Sequence, residues 1–132
     1  KEAPLLEQKI KIKERCILVV DDEEAICNIL IKFLSKDNHK VKAVDNGAEA
    51  IRLAKKENFD LVLCDIAMPE VSGYDVIQAL NILERRPQRG IITGWGEKLR
   101  PLKGDNMKVD FILRKPFISA ELTRHINDAL EV

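Results

Sequence analysis

Cys16-Ile17-Leu18-Val19-Val20-Asp21-Asp22 is the stretch on which the fold turns. Five apolar residues follow one another without a polar break, which fits a strand buried on both faces rather than one with a solvated side. Two aspartates close it. Immediately downstream, Ile26, Ile29, Leu30, Phe33 and Leu34 stand at i, i+3, i+4, i+7 and i+8, the spacing of an amphipathic helix. A buried strand followed by a helix to cover it is the unit that the rest of the chain repeats.

Val41, Ala43 and Val44 make a short second strand, and Asp45-Asn46-Gly47 supplies a turn and a helix cap. Ala50, Ile51 and Ala54 mark a second, smaller helix. Phe59 to Cys64 reads as the third strand, ending at Asp65. Met68-Pro69-Glu70-Val71-Ser72-Gly73 is a loop rich in breakers, and Ser72 with Asp75 has the spacing of a capping box. Val76, Ile77, Leu80 and Leu83 stripe a third helix, stopped before Pro87. Gly90-Ile91-Ile92 is a fourth strand and Val109 to Leu113 a fifth. Leu122, Ile126, Ala129 and Leu130 stripe a last helix, with Ser119 as its expected cap.

Strands alternating with helices of this length imply βαβ units: an α/β fold, with a five-stranded parallel sheet between two helical layers, a three-layer α/β/α sandwich. In such sheets ligands gather outside the carboxyl ends of the strands. Asp21 and Asp22 close the first strand, Asp65 the third and Thr93 the fourth, and Lys115 follows the fifth. The polar residues of interest therefore converge on one edge.

Bulk properties narrow the classes. With 132 residues there is room for one core, and 45% hydrophobic with 33% charged residues excludes both a disordered and a membrane-embedded chain. The formal net charge of zero removes the electrostatic argument for direct nucleic-acid or membrane binding. No apolar run approaches the roughly 20 residues that span a bilayer. Leu5-Leu6 runs at once into Glu7, Gln8 and Lys9, so no signal-peptide core is expected in this stretch. Cys16, Cys27 and Cys64 form no CxxC pair; Cys16 and Cys64, inside apolar runs, read as small hydrophobes, and a cytoplasmic location is expected. Residues 1–14 lie outside the repeating pattern and read as a tail or linker, with one domain from 15 to 132.

Three carboxylates on neighbouring strand ends repel one another unless a cation neutralises them. Magnesium suits such a site, because it takes hard oxygen ligands, few carboxylates, and water or phosphate. Asp21-Asp22-Glu23-Glu24 also stands where a helix begins, so helix capping explains that motif alone equally well. Asp65 is more telling. An aspartate can attack phosphorus to form an acyl phosphate, given screening of charge and a fixed cation for the phosphoryl oxygens. Lys115 would supply the cation and Thr93 a hydroxyl donor.

Ile17-Leu18-Val19-Val20-Asp21-Asp22-Glu23, Asp65-Ile66-Ala67-Met68-Pro69, Ile92-Thr93-Gly94 and Lys115-Pro116-Phe117 resemble, in order and spacing, the receiver domains of response regulators in two-component signalling. The resemblance covers about residues 15 to 132 and implies a sheet of order 2-1-3-4-5. It makes Asp65 the phosphoacceptor and Asp22 a direct magnesium ligand. Asp21 would act through a metal-bound water, and Ala67 through its backbone carbonyl. Thr93, Lys115 and the Gly94 amide would hold the phosphoryl oxygens. It further implies a phosphohistidine donor on a sensor histidine kinase or histidine phosphotransfer protein, and an output domain or protein that responds. Such a chain is not an enzyme with a separate substrate; it promotes its own phosphorylation and dephosphorylation.

Two positions depart from the family. Members commonly carry Tyr or Phe three residues before the lysine, as a switch; here that residue is Ile112, paired with Thr93 in the switch, while Phe111 faces the opposite side. Trp95, two residues after Thr93, is placed either to overhang the site or to pack on its loop. The stretch 97–108, where relatives have a helix, contains Pro101 and Gly104 and offers mainly Leu99, Leu102 and Met107 for burial, so a short or broken helix is expected. His39 and His125 lie off the active edge and read as surface or packing residues. A haloacid-dehalogenase-like phosphohydrolase would need DxD at the first strand, which Asp21-Asp22-Glu23 does not provide. A pseudo-receiver would lack the acidic pair, Asp65 or Lys115, and all are present.

Overall fold

The structure, a computed structural model, describes residues 15–94, 97–100, 104 and 107–130. Nine elements follow in order: β1 (Cys16–Val20), α1 (Glu24–Lys36), β2 (Lys40–Val44), α2 (Gly47–Lys56), β3 (Leu61–Asp65), α3 (Gly73–Asn81), β4 (Gln88–Thr93), β5 (Phe111–Arg114) and α4 (Ser119–Leu130). The strands form one sheet of order β2-β1-β3-β4-β5, and each neighbouring pair is parallel. The expected α/β sandwich and strand order are thus what the chain adopts.

Alternation along each strand divides the core. Ile17, Val19, Leu61, Leu63, Ile92, Phe111 and Leu113 face Leu30 and Leu34 of α1 and Leu122 and Ile126 of α4. Leu18, Val20, Val62, Cys64 and Ile91 face Ala50 of α2 and Val76, Ile77 and Leu80 of α3. The unbroken apolar runs are therefore explained by two covered faces, and every residue of β3 is buried. The rim strand β2 differs: Lys40 and Lys42 are exposed, Val41 and Val44 half-buried, and Lys42 Nζ pairs with Glu57 at 2.8 Å.

Local chemistry sets the boundaries. Asn46 caps α2 by accepting from the Glu49 N–H at 2.8 Å. Ser72 and Asp75 form the expected capping box: the Asp75 N–H donates to Ser72 Oγ, and the Ser72 N–H to Asp75 Oδ2. At the end of α1, Asn38 adopts φ 66°, and the N–H groups of Asn38 and His39 return to the carbonyls of Ser35 and Leu34, a Schellman closure.

Several expectations need correction. Ser119 is the first residue of α4, not its cap; the first-turn amides of Glu121 and Leu122 return to the Ile118 carbonyl. Ile29 is 41% exposed, because the buried stripe of α1 centres on Leu30 and Leu34 and Ile29 stands about 100° round from Leu30. β3 begins at Leu61 rather than Phe59: the Asp60 carboxylate accepts the Cys16 N–H at 2.8 Å and closes the foot of the sheet. β5 begins at Phe111, later than Val109. α3 stops at Asn81, so Leu83 packs from just beyond the helix.

Among the described residues of 97–108 no α-helix is present, only a 3-10 turn at Met107, and Gly104 has φ 87°. Pro101 and Leu102 lie outside the described residues, as do positions 1–14. No helix among the described residues is long and apolar enough to cross a membrane.

Candidate functional site

Register aligns the polar residues. Val20 stands beside Cys64, Asp65 beside Ile92, and Thr93 beside Arg114, so Asp21, Asp65, Thr93 and Lys115 emerge at one level of the sheet edge. Asp21 and Thr93 are fully buried and Asp65 is 3% exposed, whereas Asp22 is exposed. One carboxylate oxygen from each of Asp21, Asp22 and Asp65 lies within 4.8 Å of the others.

Each buried carboxylate has one oxygen tied down and one left facing the cluster. Asp21 Oδ1 accepts the Glu23 N–H at 2.9 Å, and Asp65 Oδ1 accepts the Ala67 N–H at 3.2 Å. Lys115 Nζ lies 3.3 Å from Asp21 Oδ2 and 3.8 Å from Asp65 Oδ2, but its shortest contact, 2.8 Å, is to Glu23 Oε1. Proximity to Lys115 does not amount to a hydrogen bond for Asp21 Oδ2, which has no partner of that kind among the described residues. Two buried acidic oxygens and an exposed third form a hard-oxygen donor set with an unsatisfied lone pair, and that set suits a divalent cation.

Electrostatics follow from this crowding. Burial, then the charge on Asp21, push the Asp65 carboxyl up to about 7, against the Ala67 N–H and Lys115. Burial also raises Asp21, opposed by the Glu23 N–H and Lys115. Burial alone would lower Lys115, yet its hydrogen bond to Glu23 and the charges of Asp65 and Asp21 raise it.

On the other half of the site, Thr93 Oγ1 reaches, among the described residues, only the Gly94 carbonyl, at 3.5 Å. The Gly94 N–H donates to the Glu97 carboxylate. Lys115 is steered by its own backbone, whose N–H donates to the Thr93 carbonyl at 2.8 Å. Ile112 is half-buried beside Ile91, while Phe111 lies on the opposite face, its ring stacked 4.9 Å from His125 at an interplanar angle of 9°. His125 thus packs away from the site. His39 is buried at the end of α1. Trp95 lies outside the described residues.

Three participants were not found in the sequence. Glu23 and Glu97 hold Lys115 and Gly94, and neither carries a periodic signal. Gly73 opens α3 against the backbone of Asp65: a Cβ there would sit 2.4 Å from the Asp65 carbonyl oxygen and 2.5 Å from Ile66 Cα. Its N–H donates to the Ile66 carbonyl at 3.0 Å, so α3 is seated directly on the end of β3, where Asp65 stands. The breaker-rich loop was visible, but not that its glycine is the point of closest approach.

Comparison with known proteins agrees with this fold. The response regulator receiver domain family matches residues 17–127. The transcriptional regulatory protein ResD of Bacillus subtilis (strain 168) is 32% identical over 117 residues, covering 89% of this chain and 48% of that protein. The chain spans about half the length of the curated relatives it matches. Among solved structures, the receiver domain of sensor histidine kinase PA1611 from Pseudomonas aeruginosa PAO1, with a magnesium ion coordinated in its active site cleft, superposes with a TM-score of 0.79. It is 24% identical, over 91% of this chain and 100% of that one. A response regulator receiver domain protein from Clostridium thermocellum is 27% identical, with a TM-score of 0.75 over 88% of this chain and 94% of the other. With a family match across most of its length and the family's sheet order, this chain belongs to the response regulator receiver domains.

Proposed function

We propose that Asp65 accepts a phosphoryl group from a phosphohistidine on a sensor histidine kinase or histidine phosphotransfer protein, in a magnesium-dependent reaction, and that the modified domain changes conformation to control an output domain or protein. The observation that carries this reading is the Asp65 carboxylate at the end of β3, within 3.8 Å of Lys115 Nζ and clustered with Asp21 and Asp22.

In the transfer, a carboxylate oxygen of Asp65 attacks phosphorus and the P–N bond to the donor imidazole breaks. The bonding pair leaves with the imidazole, and an acyl phosphate remains on Asp65. Bound Mg2+ would neutralise the carboxylates and screen the incoming phosphoryl charge. Asp22 would hold it directly, Asp21 through water, and Ala67 by its carbonyl. Asp65 Oδ2, which accepts no backbone hydrogen bond from the described residues, is the oxygen available for attack. Lys115, Thr93 and the Gly94 amide stabilise the phosphoryl oxygens, and the same groups serve the later hydrolysis, so the domain promotes both halves of its own cycle. With Ile112 in place of an aromatic ring, the response leaves through the segment after β4 rather than through ring rotation.

Incubation with acetyl phosphate and magnesium tests this. One phosphoryl group labile to hydroxylamine is expected, lost in Asp65→Asn, with magnesium binding largely lost in Asp22→Ala. Stable labelling of the Asp65→Asn protein would overturn the assignment.

A further inference from the structure

The donors assigned to the phosphoryl group are already engaged by carboxylates of the chain itself. The Gly94 N–H donates to Glu97, whose own N–H returns to the Gly94 carbonyl at 3.2 Å. Lys115 Nζ sits 2.8 Å from Glu23 Oε1, a full ångström nearer than to Asp65 Oδ2 at 3.8 Å. Among the described residues, Thr93 Oγ1 makes only the long contact to Gly94.

A carboxylate and a phosphoryl group are both oxyanions and accept the same N–H donors. The Gly94 amide has a single N–H and Lys115 makes its shortest contact to Glu23, so a phosphoryl oxygen that takes these donors displaces the glutamates. The charge on Glu97 also adds to that of Asp21 in opposing the ionised form of Asp65.

We infer that Glu97 and Glu23 are internal occupants of the phosphoryl-binding donors, and that phosphorylation is an exchange in which both glutamates are expelled. This inference rests on the phosphoacceptor reading of Asp65. It supplies what the missing ring at Ile112 leaves open, namely a first mechanical step. Glu97 begins a segment whose far end is pinned to α3: the Arg100 N–H donates to Tyr74 Oη at 2.7 Å, and the Arg100 guanidinium lies 3.7 Å above the Tyr74 ring. Release at Glu97 with Tyr74 still holding Arg100 turns loss of one hydrogen bond into a swing of the segment against α3. It also sets a threshold, since the resting state is stabilised by two contacts that the active state must give up.

The test is titration of the full chain with beryllofluoride in saturating magnesium, followed by 1H–15N NMR at the Gly94 amide. Wild type is compared with Glu97→Gln, Glu97→Ala, Glu23→Gln and the charge control Glu24→Gln, an exposed glutamate that holds none of these donors. Hydrogen bonds to charged groups have net worth enough that each of the first three variants is expected to bind roughly three- to tenfold tighter. Glu97→Ala should gain at least as much as Glu97→Gln, because glutamine keeps an acceptor for the amide. Melting temperatures of all variants identify any affinity change that comes from misfolding. If the three variants bind no tighter than Glu24→Gln, the exchange is wrong. Labelling by acetyl phosphate separates the two ideas. A wild-type chain that takes no label at Asp65 refutes the phosphoacceptor reading, whereas labelling with unchanged affinities refutes only the exchange.

Discussion

Asp65→Asn should stabilise the metal-free protein, and by an amount that grows with pH. Burial and the neighbouring Asp21 raise the native carboxyl from 3.8 to about 7. An acid raised in the folded state contributes stability that is intact below its unfolded value and is lost as pH climbs through the folded one. A tenfold change in proton affinity is about 1.4 kcal/mol, so the ionised native state carries on the order of 4 kcal/mol of penalty at pH 8. Asparagine keeps the shape and removes the charge, but leaves Lys115 with one fewer carboxylate. A net gain of about 2 kcal/mol or more is therefore expected, a rise of several degrees in melting temperature for a domain of this size. Urea denaturation in EDTA at pH 4, 6 and 8 reads it directly: the variant and wild type should nearly coincide at pH 4 and separate by pH 8. Magnesium should close the gap, since an ion that binds only the native wild-type cluster stabilises it by mass action. An Asp65→Asn protein no more stable than wild type at pH 8, or one with the same advantage at every pH, would refute the account of a strained acidic cluster.

Gly73→Ala should lower stability by about 1–3 kcal/mol and slow labelling of Asp65, although alanine is the better helix former, because its Cβ meets the Asp65 carbonyl; chemical denaturation and acetyl phosphate kinetics measure both. Glu70 adopts φ 67°, so Glu70→Gly should gain roughly 0.5–1 kcal/mol, checked by the urea midpoint. Burial, helped by Arg15, holds His39 below 6.5 against the pull of Asp37 and Asp60. Its contribution is therefore present above pH 6.5 and lost as pH falls below that value, and His39→Gln should lose less stability than wild type between pH 7.5 and 5.5. Hydrogen exchange across 97–108 should slow on adding beryllofluoride with magnesium if phosphorylation orders that segment; equal protection in both states would rule the ordering out.

The convergence of Asp21, Asp22, Asp65, Thr93 and Lys115 was legible because each stands at or just beyond the end of an apolar run, and in a parallel sheet the ends of such runs share one edge; the strand order followed only from the family resemblance. Asn46 and the Ser72–Asp75 box were legible because caps are local chemistry. What escaped was decided across the fold. Glu23 and Glu97 were only charges among many until β5 and the segment after β4 placed Lys115 and Gly94 beside them. Gly73 looked like a breaker, and its reason lies in the backbone of a strand eight residues earlier. Ser119 fitted the cap pattern, but the preceding Ile118 carbonyl takes the first-turn amides, shifting the boundary by one residue.

The rim strand β2 has a bearing on how the molecule behaves in company. An open parallel sheet ends in two rows of backbone donors and acceptors that could template a strand from another molecule. On one rim, Lys40 and Lys42 stand exposed, and bringing two such rims together would oppose lysine to lysine. The other rim, β5, is only four residues long and carries the exposed Arg114. Sheet extension is thereby discouraged at both ends, so the segment after β4 can rearrange without baring an adhesive edge that would draw the domain into aggregates.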